Sequence, residues 1–114
     1  MPRIPLTVYP AARGGTVITP VTPQITGSGG NSFLNDGDTV LYIKNGHAST
    51  PCNMSIARVR TVDGVAPAAR VVAVAALTEQ IIGNLAPSDF NQTDGTVWID
   101  PDFVTTVTVC VYQP

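Results

Sequence analysis

The stretch of residues 95–112 reads GTVWIDPDFVTTVTVCVY and contains two alternating runs separated by a turn. In its second half, Val107, Val109 and Val111 alternate with threonine, cysteine and tyrosine. A period of two is typical of a strand with one buried face, and β-branched residues favour strands. We therefore expect strands over residues 95–100 and 105–112, the second of them near the centre of a sheet.

The same pattern recurs earlier in the chain. Runs rich in valine, isoleucine and threonine are bounded by turn-forming pairs such as Asn45-Gly46, which we expect to close a hairpin. In residues 66–77, six alanines are compatible with a helix, but Pro67 and the density of valine favour a strand. The further strands expected are residues 32–34, 39–44, 52–60, 70–76 and 79–82.

Strands in this number and at this spacing predict an all-β protein, an antiparallel β-sandwich that is jelly-roll-like or immunoglobulin-like. The immunoglobulin order of cysteine, tryptophan and cysteine fits poorly, because Trp98 lies far from Cys52 and close to Cys110. A jelly-roll-like topology is therefore preferred. Trp98 and Tyr42 alternate with apolar neighbours, and we expect both side chains to anchor the core between the sheets.

Residues 1–30 are rich in proline and glycine, which excludes a helix and interrupts central strands. We expect an extended N-terminal arm over residues 1–30, with strand pieces at 6–9 and 16–19, followed by a β-sandwich domain over residues 31–114. The glycine-rich residues 27–30 are interpreted as a flexible joint, since they lack the lysine of a phosphate-binding loop. The arm is expected to reach a neighbouring subunit, with an edge strand of its own sheet or disorder as the alternatives.

The 114 residues suffice for one domain with one core. Only 12% of them are charged, the net charge is -2 and the six basic residues are scattered, which argues against nucleic acid and membrane as partners. A surface with so few charges suits a contact with another protein. The N-terminus lacks the pattern of a secretory signal, so we expect Cys52 and Cys110 to be buried, reduced thiols.

The chain is poor in side chains that carry out chemistry. The single histidine, His47, follows a turn, and neither cysteine has a basic neighbour that would activate it. Two cysteines and one histidine are too few for a structural zinc site. The pairs Asp36/Asp38 and Asp100/Asp102 are expected to form turns rather than calcium sites. We therefore expect no enzyme, with no catalytic residues, no cofactor and no metal ligands.

An ordered series of motifs spans a little over half of the chain. It comprises NDGDTVLYIKNG at residues 35–46, RTVDG at 60–64, IG at 82–83 and FNQTDGTVWI at 90–99. Each motif alone is a β-turn signature, but their order and spacing resemble a family of small structural proteins of tailed-bacteriophage heads that includes capsid decoration (cement) proteins. The sequence departs from that pattern at residues 75–78, where the resemblance implies a glycine-containing turn between two strands.

The resemblance implies a β-sandwich that binds the exterior of an assembled phage head as a homotrimer and stabilises the shell. The implied partners are the major capsid protein and further copies of the chain itself. The implied location is the virion exterior, after assembly in the cytoplasm of the bacterial host. The alternatives are a head-completion or tail-connector protein that forms a ring, and a carbohydrate-binding or adhesion β-sandwich module. The latter requires exposed aromatic side chains, several of which are expected in the core.

Overall fold

The computed structural model describes residues 3–25, 27, 29–61 and 63–114. Within these ranges the regular structure consists of strands and one helix of four residues. The elements in chain order are β1 (Ile4–Pro5), β2 (Val8–Pro10), β3 (Asn31–Leu34), β4 (Val40–Asn45), β5 (Cys52–Ile56), β6 (Arg70–Val74), β7 (Thr78–Ile82), α1 (Pro87–Phe90), β8 (Thr96–Pro101) and β9 (Val107–Gln113).

The strands form two sheets that pack against each other, which confirms the predicted β-sandwich. The five-stranded sheet has the order β1-β3-β8-β5-β6, and the four-stranded sheet has the order β2-β9-β4-β7. If β1 is set aside and β2 is counted as strand 1, β9 becomes strand 8. The four-stranded sheet then has the order 1-8-3-6, and the other sheet has the order 2-7-4-5. This is the strand order of a jelly roll. The sandwich differs from the antiparallel prediction at its N-terminal strands, since β1 and β2 run parallel to their neighbours, whereas the remaining pairs are antiparallel.

The core lies between the two sheets and is formed by alternate residues of the strands. Val107, Val109 and Val111 of β9 point into it, as their spacing predicts, and β9 lies inside its sheet between β2 and β4. Burying an aliphatic or aromatic side chain of this kind contributes about 1.5–3 kcal/mol. The other large side chains that are almost completely shielded from solvent are Phe33, Leu41, Ile43, Met54, Ile56, Val74, Val97 and Ile99.

The prediction that Trp98 and Tyr42 anchor the core is wrong. Trp98 lies between the buried residues Val97 and Ile99, so the alternation of β8 turns it to the outer face, where it is 37% exposed. Tyr42 is in the same situation on β4, between two buried residues. Both faces of these strands carry apolar or aromatic residues, so the sequence alone does not show which face packs against the other sheet.

The pair Asn45-Gly46 does not close a hairpin, contrary to the prediction, because β4 and β5 belong to different sheets. The buried side chain of Asn45 stabilises the crossing. Its Nδ2 donates to the carbonyls of Thr50 (2.9 Å) and Val74 (3.0 Å), and its Oδ1 accepts from the backbone N–H of His47 (3.0 Å). Since Val74 ends β6, this one amide connects the two sheets.

Residues 66–77 contain β6 rather than a helix, in agreement with the prediction. β6 and β7 lie in different sheets, so the connection at residues 75–78 crosses from one sheet to the other. This is the place where the sequence departs from the phage pattern. The turn places Leu77 at a φ of 60°, in the left-handed region that a leucine seldom adopts.

The N-terminal segment supplies the edge strands β1 and β2, one to each sheet. The predicted strand piece at residues 16–19 is wrong, and residues 11–20 are exposed throughout. The chain then returns to the four-stranded sheet, where Val21 and Val109 exchange backbone hydrogen bonds of 2.9 and 2.8 Å. The segment thus covers the β3 edge of one sheet and the β9 edge of the other.

The glycine-rich residues 27–30 connect this segment to β3. Gly30 is buried, with a φ of 65°, and packs beside Arg3 and Ile99. Ser28 lies outside the described residues, so the flexibility proposed for this joint stays a prediction. The division of the chain into an arm over residues 1–30 and a domain over 31–114 likewise stays a prediction.

Candidate interaction surfaces

The outer face of the four-stranded sheet carries all three tyrosines of the chain. Tyr9 of β2 lies opposite Tyr112 of β9, Val40 of β4 lies on the other side of Tyr112, and Tyr42 of β4 lies opposite Ile81 of β7. Each of these five residues follows or precedes a residue that packs in the core, so their side chains point away from it. We call these five residues the tyrosine face.

Charged residues lie at the two ends of the tyrosine face. Lys44 of β4 lies opposite Glu79 of β7 at one end, and Asp38 lines a cleft with Val40 and Ile81 at the other. The hydrogen bond between Tyr42 and Glu79, followed by desolvation, raises the pKa of the Tyr42 phenol. The phenol therefore stays neutral at physiological pH. The face is broad, largely uncharged and aromatic, which is the composition found at the centres of protein–protein interfaces.

A second aromatic surface lies on the outer face of the five-stranded sheet. Its centre is Trp98, whose ring is covered on one side by the guanidinium group of Arg3. Arg3 is fixed in turn by an ion pair of 2.9 Å with Asp100. The pairing of β3, β8, β5 and β6 places the exposed residues Leu34 and Val71 on the same face.

The two long sides of the sandwich differ. On one side, the N-terminal segment passes from β1 to β2 and covers a cavity of about 450 Å3. On the other side, a cleft of about 820 Å3 opens between β6 and β7. Nε2 of Gln80 donates to the carbonyl of Ala73 (3.3 Å) near the turn that joins these strands. Buried residues line the cleft beyond that bond, among them Ile82, Leu85 and Phe90.

His47 has a structural role in the loop between β4 and β5. Its Nδ1 accepts the backbone N–H groups of Ser49 (3.1 Å) and Thr50 (3.0 Å). Its ring packs edge-on against Phe103, with 5.5 Å between the ring centroids. The lone pair of Nδ1 is therefore used to hold the loop together.

Both cysteines are buried, free thiols, and they lie in different sheets. Burial and the charge of Asp102 raise the pKa of Cys52 to about 11, while burial raises the pKa of Cys110. A thiol with a raised pKa is protonated at neutral pH and is a poor nucleophile.

The aspartate pairs serve the local fold. Oδ1 of Asp36 accepts the N–H of Asp38 (2.9 Å), a bond that lowers the pKa of Asp36 and closes the predicted turn. Asp100 lies in β8 and not in a turn, and Asp102 accepts the backbone N–H of Asn53 (2.9 Å). In the part of the chain that the structure describes, no group of three or more His, Cys, Asp or Glu side chains is placed to hold a metal ion.

Comparison with known proteins gives no assignment, since no family model, curated protein or solved structure matches this chain. Among the described residues, no helix has the length and apolar character needed to cross a membrane. The sequence analysis did not identify the tyrosine face, because its members come from four strands that only the sheet order brings together. Alternation within each strand was the available signal, since it marks each tyrosine as a neighbour of a buried residue.

Proposed function

We propose that this protein is a non-enzymatic virion structural protein, a capsid decoration (cement) protein that binds the exterior of a tailed-phage head and stabilises the shell. The observation that carries the proposal is the tyrosine face, a group of three tyrosines and two aliphatic residues on the outer face of the four-stranded sheet. Tyrosine presents a large contact area and loses little conformational freedom on binding. The ordered motifs between residues 35 and 99 support the same function through their resemblance to phage head proteins.

The major capsid protein is the partner in this proposal, and the bound form is a homotrimer. A trimer presents three tyrosine faces, so that once one contact has formed, the others are effectively intramolecular. A protein that binds the assembled shell, and not its separate subunits, stabilises the shell by mass action. Neither a covalent step nor a cofactor is required.

The environment of the reactive side chains supports a role without catalysis. The Nδ1 atom of His47 accepts two backbone N–H groups, and burial keeps the thiols of Cys52 and Cys110 protonated. A nucleophile needs a general base or a lowered pKa to act. The pKa of both thiols is raised instead.

The experiment that tests the proposal is the copy number of this protein relative to the major capsid protein, measured by quantitative mass spectrometry of purified virions. A copy number of the same order as that of the major capsid protein is the expected result. A number that matches a single ring would instead support the head-completion or tail-connector alternative. Absence from virions would contradict both.

Trp98 favours one further candidate, a carbohydrate-binding or adhesion module. Sugars stack on exposed aromatic rings, and Trp98, which was expected in the core, is 37% exposed on an outer face. The guanidinium of Arg3 over that ring reduces the area available for stacking. Saturable binding on a glycan array that is lost in the Trp98→Ala variant would support this candidate, and an array without signal would contradict it.

A further inference from the structure

Residues 16–19, with the sequence TVIT, have the composition of a strand but no strand partner among the described residues. All four are β-branched and exposed, and Val17 is 89% exposed. We propose that these four residues add a strand to the free edge of β7 in a second copy of the chain. The contact would add a fifth strand, supplied by one copy, to the four-stranded sheet of the next.

The hydrogen bonds of β4 show which backbone groups of β7 are free. The N–H of Gly46 bonds to the carbonyl of Thr106, beside β9, and backbone groups alternate in direction along a strand. Leu41, Ile43 and Asn45 therefore face β7, where they lie opposite Ile82, Gln80 and Thr78. The backbone N–H and C=O groups of the remaining β7 residues, Glu79 and Ile81, point away from β4. Among the described residues, no strand pairs with them.

The free edge of β7 lacks the features that usually prevent further pairing. β1 and β2, the edge strands on the other side of the sandwich, contain Pro5 and Pro10, and proline blocks an edge because it has no N–H. β7 contains no proline, and Ile81 is 65% exposed. The cleft between β6 and β7 lies beside this edge, and its buried lining residues Ile82, Leu85 and Phe90 give inward-pointing side chains of an added strand a place to be buried.

The charges of the two elements are complementary. The only charged residue of the exposed segment 11–20 is Arg13, and the only charged residue of β7 is Glu79. Glu79 lies opposite Lys44 of β4 and is hydrogen-bonded to Tyr42, but the two ion pairs among the described residues, Arg3–Asp100 and Arg58–Asp89, involve neither Glu79 nor Arg13. An added strand at β7 brings opposite charges to the same edge, which favours the encounter of the two copies.

The strand order shows that the partner is a second copy and not the same chain. Val21 is bonded to Val109, so it occupies the β2 side of β9, at the opposite edge of the sheet. A strand added beyond β7 would lie four strand spacings away, about 19 Å. Thr19 is only two residues before Val21, and two residues span at most about 7 Å. The contact is therefore head-to-tail between copies, and such a contact closes into a ring when its rotation permits.

This inference names the residues that would form the subunit contact in the homotrimer of the proposed function. It does not depend on capsid binding. It can be tested by mixing variants that each carry one added, exposed cysteine under mild oxidation, because the two native thiols are buried. Ile81→Cys is mixed with Val17→Cys or with Ile18→Cys. The matched control replaces Ile81→Cys by Leu34→Cys, which is similarly exposed (63%) but lies on the five-stranded sheet.

A disulfide-linked dimer is expected from Ile81→Cys with only one of the two segment variants, since Val17 and Ile18 point to opposite faces of an added strand. Little dimer is expected with Leu34→Cys. Equal crosslinking by both segment variants, or by the control, would indicate random collision and overturn the inference. Sedimentation equilibrium of the unmodified protein gives an independent readout, and a monomer at all accessible concentrations would overturn the inference as well. Copy number in virions tests the capsid role separately.

Discussion

The guanidinium group of Arg3 lies 4.5 Å from the ring centroid of Trp98, so that the start of the described chain covers a tryptophan on the outer face of the sandwich. Nη1 of Arg3 also donates to Oδ1 of Asp100 (2.9 Å) and to the carbonyls of Asn31 (3.1 Å) and Ile99 (3.3 Å). One side chain thus joins the N-terminal segment to both β3 and β8.

The variant Arg3→Ala should be less stable than the wild type by about 1–2 kcal/mol, because it loses a cation–π contact and charge-assisted hydrogen bonds. The ion pair contributes little to this loss, because both of its side chains are partly exposed to solvent, which screens their charges. Urea unfolding followed by the fluorescence of Trp98, the single tryptophan, measures the effect. The control is Arg13→Ala, an exposed arginine that is expected to have no effect. Equal stability of the two variants would contradict the role of Arg3.

Gly30→Ala should destabilise the protein by about 2 kcal/mol or more, through backbone strain and a steric clash. Gly30 has a φ of 65°, and a Cβ on it would come within 2.6 Å of Nη1 of Arg3 and of the carbonyl oxygen of Ile99. The matched control is Gly14→Ala, since no atom lies within 4 Å of a Cβ at Gly14. Thermal unfolding distinguishes the two. A Gly30→Ala variant as stable as the Gly14→Ala variant would show that residue 30 is not constrained in this way.

Asn45→Ala should lower the free energy of unfolding by about 2–4 kcal/mol, because it leaves buried carbonyl and N–H groups without partners. The side chain of Asn45 makes three hydrogen bonds within the crossing between the sheets. Asn53→Ala is the control, as the Asn53 side chain is exposed and donates to Asp102 (3.1 Å) at the surface. Denaturant midpoints of the two variants give the comparison. A larger loss of unfolding free energy in Asn53→Ala than in Asn45→Ala would refute the role assigned to Asn45.

The stability of the protein should fall as the pH rises from about 9 to about 11. Burial raises the pKa of Cys52 to about 11 in the folded state, so within this window the unfolded thiol ionises while the folded thiol keeps its proton. The slope from one such group is at most about 1.4 kcal/mol per pH unit. Cys52→Ala should reduce that slope while shifting the whole curve by the cost of a cavity. Parallel curves for wild type and variant would contradict the prediction.

Under the proposed function, Tyr112→Ala should weaken binding to isolated phage heads about tenfold or more, because central tyrosines dominate the energy of many interfaces. Tyr112 lies between Tyr9 and Val40 at the middle of the tyrosine face. Leu34→Ala, on the outer face of the other sheet, is the control and should bind as the wild type does. Cosedimentation of each variant with heads measures the affinity. A greater loss of affinity in Leu34→Ala than in Tyr112→Ala would place the capsid contact on the five-stranded sheet.

The periodicity of residues 105–112 predicts the strand β9 and its buried valines because this signal is local. The same local signal fails for Trp98 and Tyr42, since both faces of β8 and β4 carry apolar or aromatic side chains. Asn45-Gly46 has the sequence of a hairpin turn, but the side chain of Asn45 is instead held by a hydrogen bond to Val74, 29 residues away. The sequence around the turn does not reveal contacts with residues so far away in the chain.

The candidate surfaces depend even more on distant pairing. Tyr9, Tyr42 and Tyr112 are far apart in the sequence and become neighbours through the order β2-β9-β4-β7. The buried position of Cys52 and Cys110, by contrast, is predicted from the sequence, because both lie in apolar strand patterns without basic neighbours. Composition limits the chemistry that is possible, whereas topology decides where a surface forms.

The pairing of Val8 with Val111 determines the order of events when the protein is made. β2 leaves the ribosome before all other strands of its sheet, but its partner β9 leaves after all of them. Contacts between such distant residues form slowly, since a long loop has to close first. We expect the pairing of β2 with β9 to form last. Residues 8–10 of each nascent chain would therefore lack this partner until β9 has been synthesised.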